Sequence, residues 1–109
     1  MPKYLTVASY TAEGAKGLLK EGGTARRAVV ETMMKNLGGQ LETFYYAFGE
    51  NDVYVITEGP DNVSAAAMSL AVSASGAVRT KTIVLLTPEE IDQASKKTVK
   101  FRPPGAKKT

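Results

Sequence analysis

The chain has 109 residues, 43% of them apolar and 23% charged, with no cysteine and no histidine. That length supports one hydrophobic core and not two, and no apolar run approaches the ~20 residues of a membrane-spanning helix. The two missing residue types exclude disulfides, thiolate nucleophiles, His- or Cys-ligated metals and haem, and Ser-His-Asp hydrolysis. Any chemistry rests on Asp, Glu, Lys, Arg, Tyr, Ser or Thr, or on a bound molecule, and neither cofactor nor metal is expected. The formal charge of +3 is unevenly spread: residues 1–92 hold eight Lys+Arg against eleven Asp+Glu, and residues 93–109 hold six cations and no acid.

The N-terminal residues enter a strand directly, without the basic region and apolar stretch of a secretory signal, so a cytoplasmic location is expected. Residues 3–10 alternate apolar with small or polar residues and predict a strand. Thr11 is placed to cap a short helical turn that reaches Leu18, Leu19 and Lys20. Gly22 and Gly23 break it, and Thr24 reads as the N-cap of the main helix. In that helix Val29, Val30, Met33, Met34 and Leu37 recur at helical spacing, until Gly38 and Gly39 end it. Residues 40–48 and 53–58 are rich in aromatic and β-branched side chains around a Gly49–Asp52 turn, which is the pattern of a β-hairpin. Asp61 or Asn62 caps a second helix over residues 63–75, dominated by Ala and Ser, and Gly76 stops it. A last strand covers residues 77–86. Thr87, Pro88, Glu89 and Glu90 then form a helix start, with the helix ending near Lys97. A domain over residues 1–92 is thus followed by a basic tail, residues 93–109. In that tail Val99 and Phe101 stand two apart, as a short strand docking on a sheet edge would place them.

The β-α-β-β-α-β order predicts an α+β, ferredoxin-like fold: a four-stranded antiparallel sheet with helices on one face. The uncovered face should then be polar, yet both parities of the strands are apolar. Phe44, Tyr46 and Phe48 oppose Leu41, Tyr45 and Ala47; Val53 and Val55 oppose Tyr54 and Ile56; Val78, Val84 and Leu86 oppose Ile83 and Leu85. An apolar sheet face without a helix marks an interaction surface whose simplest partner is a second copy. A homodimer or higher homo-oligomer is expected, with two sheets packed face to face as a dimeric α/β barrel.

Several stretches taken together resemble the GYD domain family, which is assigned to the dimeric α/β-barrel superfamily. They are residues 10–14, Lys20 and Glu21, Arg26, residues 37–39, Tyr45, residues 49–52, residues 58–61, Gly76 and residues 79–82. The set runs from the first strand to about Glu90 and leaves out the basic tail. Asn51 stands where the family's name suggests a tyrosine, and Asn suits a hairpin turn. The resemblance implies a fold and an oligomer, and no particular activity.

Candidate ligand-binding residues are Tyr10, Arg26, Tyr45, Asp52, Glu58 and Arg79; no catalytic residue is assigned. Arg26 shares the sheet-facing stripe of its helix, where a guanidinium needs a carboxylate or a ligand anion, and Asp52 and Glu58 are its natural partners. Arg79 and Lys81 share one face of the last strand. The five tyrosines suit the walls of a cleft, since a buried phenol needs a hydrogen-bond partner. No glycine pattern fits a phosphate cradle or a dinucleotide fingerprint, and no acidic cluster has calcium-loop spacing. The leading functional reading is a protein that binds a small organic molecule in a cleft lined by aromatic residues. The alternatives are a cofactor-independent monooxygenase- or isomerase-like enzyme on a phenolic or lactone-type substrate, in which Tyr, Asp52 or Glu58 moves a proton, and an assembly module without a ligand. The basic tail carries no base-reading pattern, so neither specific nucleic-acid binding nor a membrane partner is expected.

Overall fold

A computed structural model describes residues 1–105; Lys107 and Lys108, two of the six tail cations, lie outside the described residues. The elements are β1 (Lys3–Tyr10), α1 (Ala12–Glu21), α2 (Gly23–Asn36), β2 (Gln40–Tyr46), β3 (Val53–Glu58), α3 (Asn62–Ala74), β4 (Val78–Leu85) and α4 (Pro88–Ser95). The strands form one sheet in the order β2-β3-β1-β4, with every neighbouring pair antiparallel. This is the ferredoxin-like α+β arrangement, with β1 and β3 as the inner strands.

Strand alternation decides what is buried. Tyr4, Thr6 and Ala8 of β1, with Val53, Val55 and Thr57 of β3, turn toward α2 and α3 and are buried. Ala8, Val53 and Val55 form the centre of the core, with Tyr10, Val30, Leu41, Phe44 and Val78 packed around them. Leu41 is a correction to simple parity, which places it opposite Phe44. The β2–β3 register slips between Leu41 and Thr43, so one extra residue in β2 returns Leu41 to the helix side. Met34 and Met68 are buried, each filling space between its helix and the sheet. The Tyr4 hydroxyl donates to Asn62 Oδ1 at 2.7 Å, which satisfies the largest buried side chain.

Helix ends follow their caps. Thr11 Oγ1 accepts from the Gly14 N–H, Asp61 Oδ1 from the Ser64 N–H, and Thr87 forms a reciprocal capping box with Glu90. α2 departs from expectation. Gly22, not Thr24, is its N-cap, at φ 89°, and no side chain caps it. The same glycine closes α1 by donating its N–H to Leu18 at 2.8 Å, so one positive-φ residue joins two helices end to end. α1 is accordingly a ten-residue helix and not a single turn. A side chain on Gly14 would collide with the Ala77 carbonyl oxygen, so the start of α1 lies directly on the start of β4.

The radius of gyration is 18.0 Å and the long axis 64 Å, against about 13 Å for a compact chain of this length. The excess lies in an arm: residues 88–105 are all exposed, α4 included. Val99 and Phe101 are exposed and form no strand, contrary to the edge-docking pattern of their spacing. Among the described residues no helix is long and apolar enough to cross a membrane.

Candidate functional site

A pocket of about 120 Å³ lies between the sheet and the helices α2 and α3. Its floor is the core face of the sheet: Thr6, Ala8 and Tyr10 of β1, Phe44, Val53, Val55 and Thr57 of the hairpin, and Val78 and Thr80 of β4. α2 contributes Arg26, Val29, Val30 and Met33, and α3 contributes Met68, Ser69 and Val72. The space follows from residue size. Where α3 crosses β4 the contact is made by hydroxyls, Ser69 to Thr82 at 2.8 Å and Ser73 to Thr80 at 3.2 Å. Short polar side chains and Ala8 hold the layers together without filling the gap beneath α2.

Two polar features stand out in a lining whose other polar members are the hydroxyl residues Thr57, Ser69 and Thr80. Thr6 is 7% exposed, and its Oγ1 has no hydrogen-bond partner among the described residues. A buried hydroxyl left unpaired is costly, since its desolvation is not offset. Where α2 begins, Arg26 and Tyr10 line the same pocket. The Arg26 guanidinium reaches Glu21 Oε2 at 3.4 Å, a long pair between half-exposed groups, worth at most about 1 kcal/mol. This corrects the expected pairing of Arg26 with Asp52 or Glu58: the α1–α2 junction at Gly22 brings Glu21 beside Arg26 instead.

Burial pushes the Tyr10 phenol up to about 12, with neighbouring Tyr46 and Asp52 acting in the same direction and Arg26 against them. Tyr10 is therefore a neutral hydrogen-bond donor at any physiological pH. Tyr46 packs edge-on against Phe44, ring centroids 5.2 Å apart, and its hydroxyl donates to the Gly23 carbonyl at 3.0 Å. Asp52 Oδ2 accepts from the Tyr10 backbone N–H at 2.8 Å, and the Asp52 N–H donates to Ala8 at 2.8 Å. Asp52 thus ties the hairpin turn to β1 from just outside the pocket.

The remaining candidates sit elsewhere. Tyr45, 69% exposed, lies on the open sheet face beside Tyr54. Glu58 lies on the same face, where donation from the Gln40 amide, then from Lys3, holds its carboxyl below the usual range. Arg79 is exposed on that face opposite Ser9. Of the six residues, the structure gathers Tyr10, Arg26 and Asp52 at one end of the pocket and separates Tyr45, Glu58 and Arg79 from it. Thr6 was missed, though a signal existed: it is the polar residue within the apolar parity of Tyr4, Ala8 and Tyr10. Asn51, in the hairpin turn, accepts from the Ser9 hydroxyl at 3.2 Å. Among the described residues no group of three or more acidic side chains is placed to hold a metal ion.

Sheet order, connectivity and the layer of helices define a ferredoxin-like α+β protein with a pocket between its layers. A family model described as the GYD domain matches residues 4–95. The chain belongs to the GYD domain family. No curated protein and no solved structure matches it.

Proposed function

We propose that this chain binds a small organic molecule in the pocket beneath α2 and α3, and that it does so as a homodimer joined through its open sheet faces. The observation that carries the first part is an apolar pocket containing a buried hydroxyl with no protein partner. An apolar cavity of roughly 150 Å³ takes up benzene, so this pocket, at about 120 Å³, suits a body of one aromatic ring at most. Binding is favoured over proton transfer because the ionisable side chains of the lining are Tyr10 and Arg26, neither of which is a base near neutral pH.

The homodimer is supported by the other face of the sheet. Leu5, Val7, Tyr54, Ile56, Ile83 and Leu85 are grouped there by the register of β1 with β3 and β4, away from α2 and α3. Four strands at about 4.8 Å spacing and some 25 Å long present roughly 500 Å², so two copies together reach the ~1,000 Å² of a specific interface. A second copy offers an identical face, its apolar patch bordered by Lys3, Glu58, Arg79 and Lys81 of both signs, which makes it the matching occupant.

The pocket is tested by titrating isotope-labelled protein with benzyl alcohol, a neutral single-ring probe. Saturable shifts at the Thr6, Val55 and Met68 methyls are expected, and Ala8→Leu should abolish them by filling the space. No saturable shift at millimolar probe would refute ligand binding here. The dimer is tested by sedimentation equilibrium at micromolar protein, where a mass of one chain would refute it.

A further inference from the structure

The pocket's polar groups are arranged by sign. Among its lining residues Arg26 is the one charged side chain, and no carboxylate lines the space. α2 starts without a side-chain cap and without an acid in its first turn, so nothing on the helix offsets the charge of Arg26 there. Arg26 stands at the end of that first turn, where a cation is disfavoured by the dipole and an anion is favoured. Tyr10, as a neutral phenol, adds a further donor. Thr6 lies four residues from Tyr10 along β1, about 13 Å at strand rise; it also lines the pocket, and its buried hydroxyl has no partner among the described residues.

We infer that the ligand is a small monocarboxylate with an apolar body of about one ring, its carboxylate held by Arg26 and Tyr10, and a hydroxyl or carbonyl at its far end meeting Thr6. The inference rests on the pocket being a ligand site and deepens that reading by naming the ligand's chemistry. The existing partner of Arg26 does not compete strongly. Glu21 is half exposed and 3.4 Å away, so it returns to water at little cost when a carboxylate arrives in the drier site. A guanidinium facing a carboxylate forms a charge-assisted pair, stronger than a neutral hydrogen bond and specific for that geometry.

The test compares three probes at pH 7 by the same methyl-shift titration: benzoate, 4-hydroxybenzoate and benzyl alcohol. Benzoate should bind about tenfold or more tighter than benzyl alcohol, the scale of one charge-assisted hydrogen bond. Arg26→Gln should erase that difference, with circular dichroism and melting temperature showing that the variant is folded. 4-Hydroxybenzoate should bind tighter than benzoate, and Thr6→Val should remove this further gain alone. Equal binding of benzoate and benzyl alcohol, or an unchanged preference in Arg26→Gln, overturns the carboxylate assignment and leaves the pocket reading standing. Binding by none of the three overturns both. A hydroxybenzoate advantage that survives Thr6→Val overturns the role given to Thr6.

Discussion

The two faces of the sheet are built from the same kinds of residue and end in different states. On one, Val53 and Val55 are buried beneath helices, and the incomplete fit of small side chains leaves a pocket. On the other, Tyr45, Tyr54 and Ile83 stay 41–69% exposed, and the charges Lys3, Glu42 and Glu58 form their own cluster at one end. Apolar alternation thus specifies a surface that could be covered, and connectivity decides which one the chain covers itself. With α2 and α3 both on one side, the chain leaves the other side open.

The sharpest break of this comparison is a charge at matched positions. Val55→Asp, at a site 6% exposed, buries an unpaired carboxylate and should unfold the protein. Tyr54→Asp, one residue away on the open face, should keep the circular dichroism of the fold and reduce the sedimentation mass to one chain. If both variants unfold, or both stay folded at wild-type mass, the two faces are not distinct. Gly14→Ala is next in size. The added Cβ collides with the Ala77 carbonyl, and the backbone shift should cost about 1–3 kcal/mol, read as a lower melting temperature.

Thr6→Val should act in the opposite direction. It replaces an unpaired buried hydroxyl with a methyl of similar size, and the ligand-free protein should gain about 1 kcal/mol. A loss would mean that the hydroxyl is already satisfied. Tyr10 gives a pH test. Its folded value of about 12 lies above the ordinary phenol value of 10.0, so its contribution to stability is complete below pH 10 and is lost as pH rises toward 12. Tyr10→Phe should remove a phenolate absorbance step near pH 12 and the matching loss of stability. The smallest effect belongs to the arm. Deleting residues 101–109 should leave melting temperature and oligomer mass nearly unchanged, because Phe101 is 74% exposed and its described neighbours are exposed as well.

The sequence carried most of the architecture. Punctuation by Gly38, Gly76 and Pro88 and the caps Thr11, Asp61 and Thr87 marked where elements begin and end, since these residues act through local backbone chemistry. Leu41 could not be placed, because a bulge is a relation between two strands and leaves no mark in the alternation of one. Neither could the partner of Arg26, which depends on the angle set by Gly22 between α1 and α2. Apolar residues of both parities announced two apolar faces, but only the positions of the helices say which one the chain buries. Of the candidate site, Tyr10 and Arg26 were legible as residue types needing partners. The pocket was not, because empty space results from the summed volumes of α2, α3 and the sheet.

The arm also alters how the molecule presents itself in solution. A compact protein of twice this length has a radius of gyration of about 17 Å, and one copy of this chain already has 18.0 Å. Gel filtration and small-angle scattering radii, which respond to shape, therefore report a lone copy as a compact pair. Sedimentation equilibrium and light scattering, which weigh the particle whatever its outline, are the measurements that count its chains.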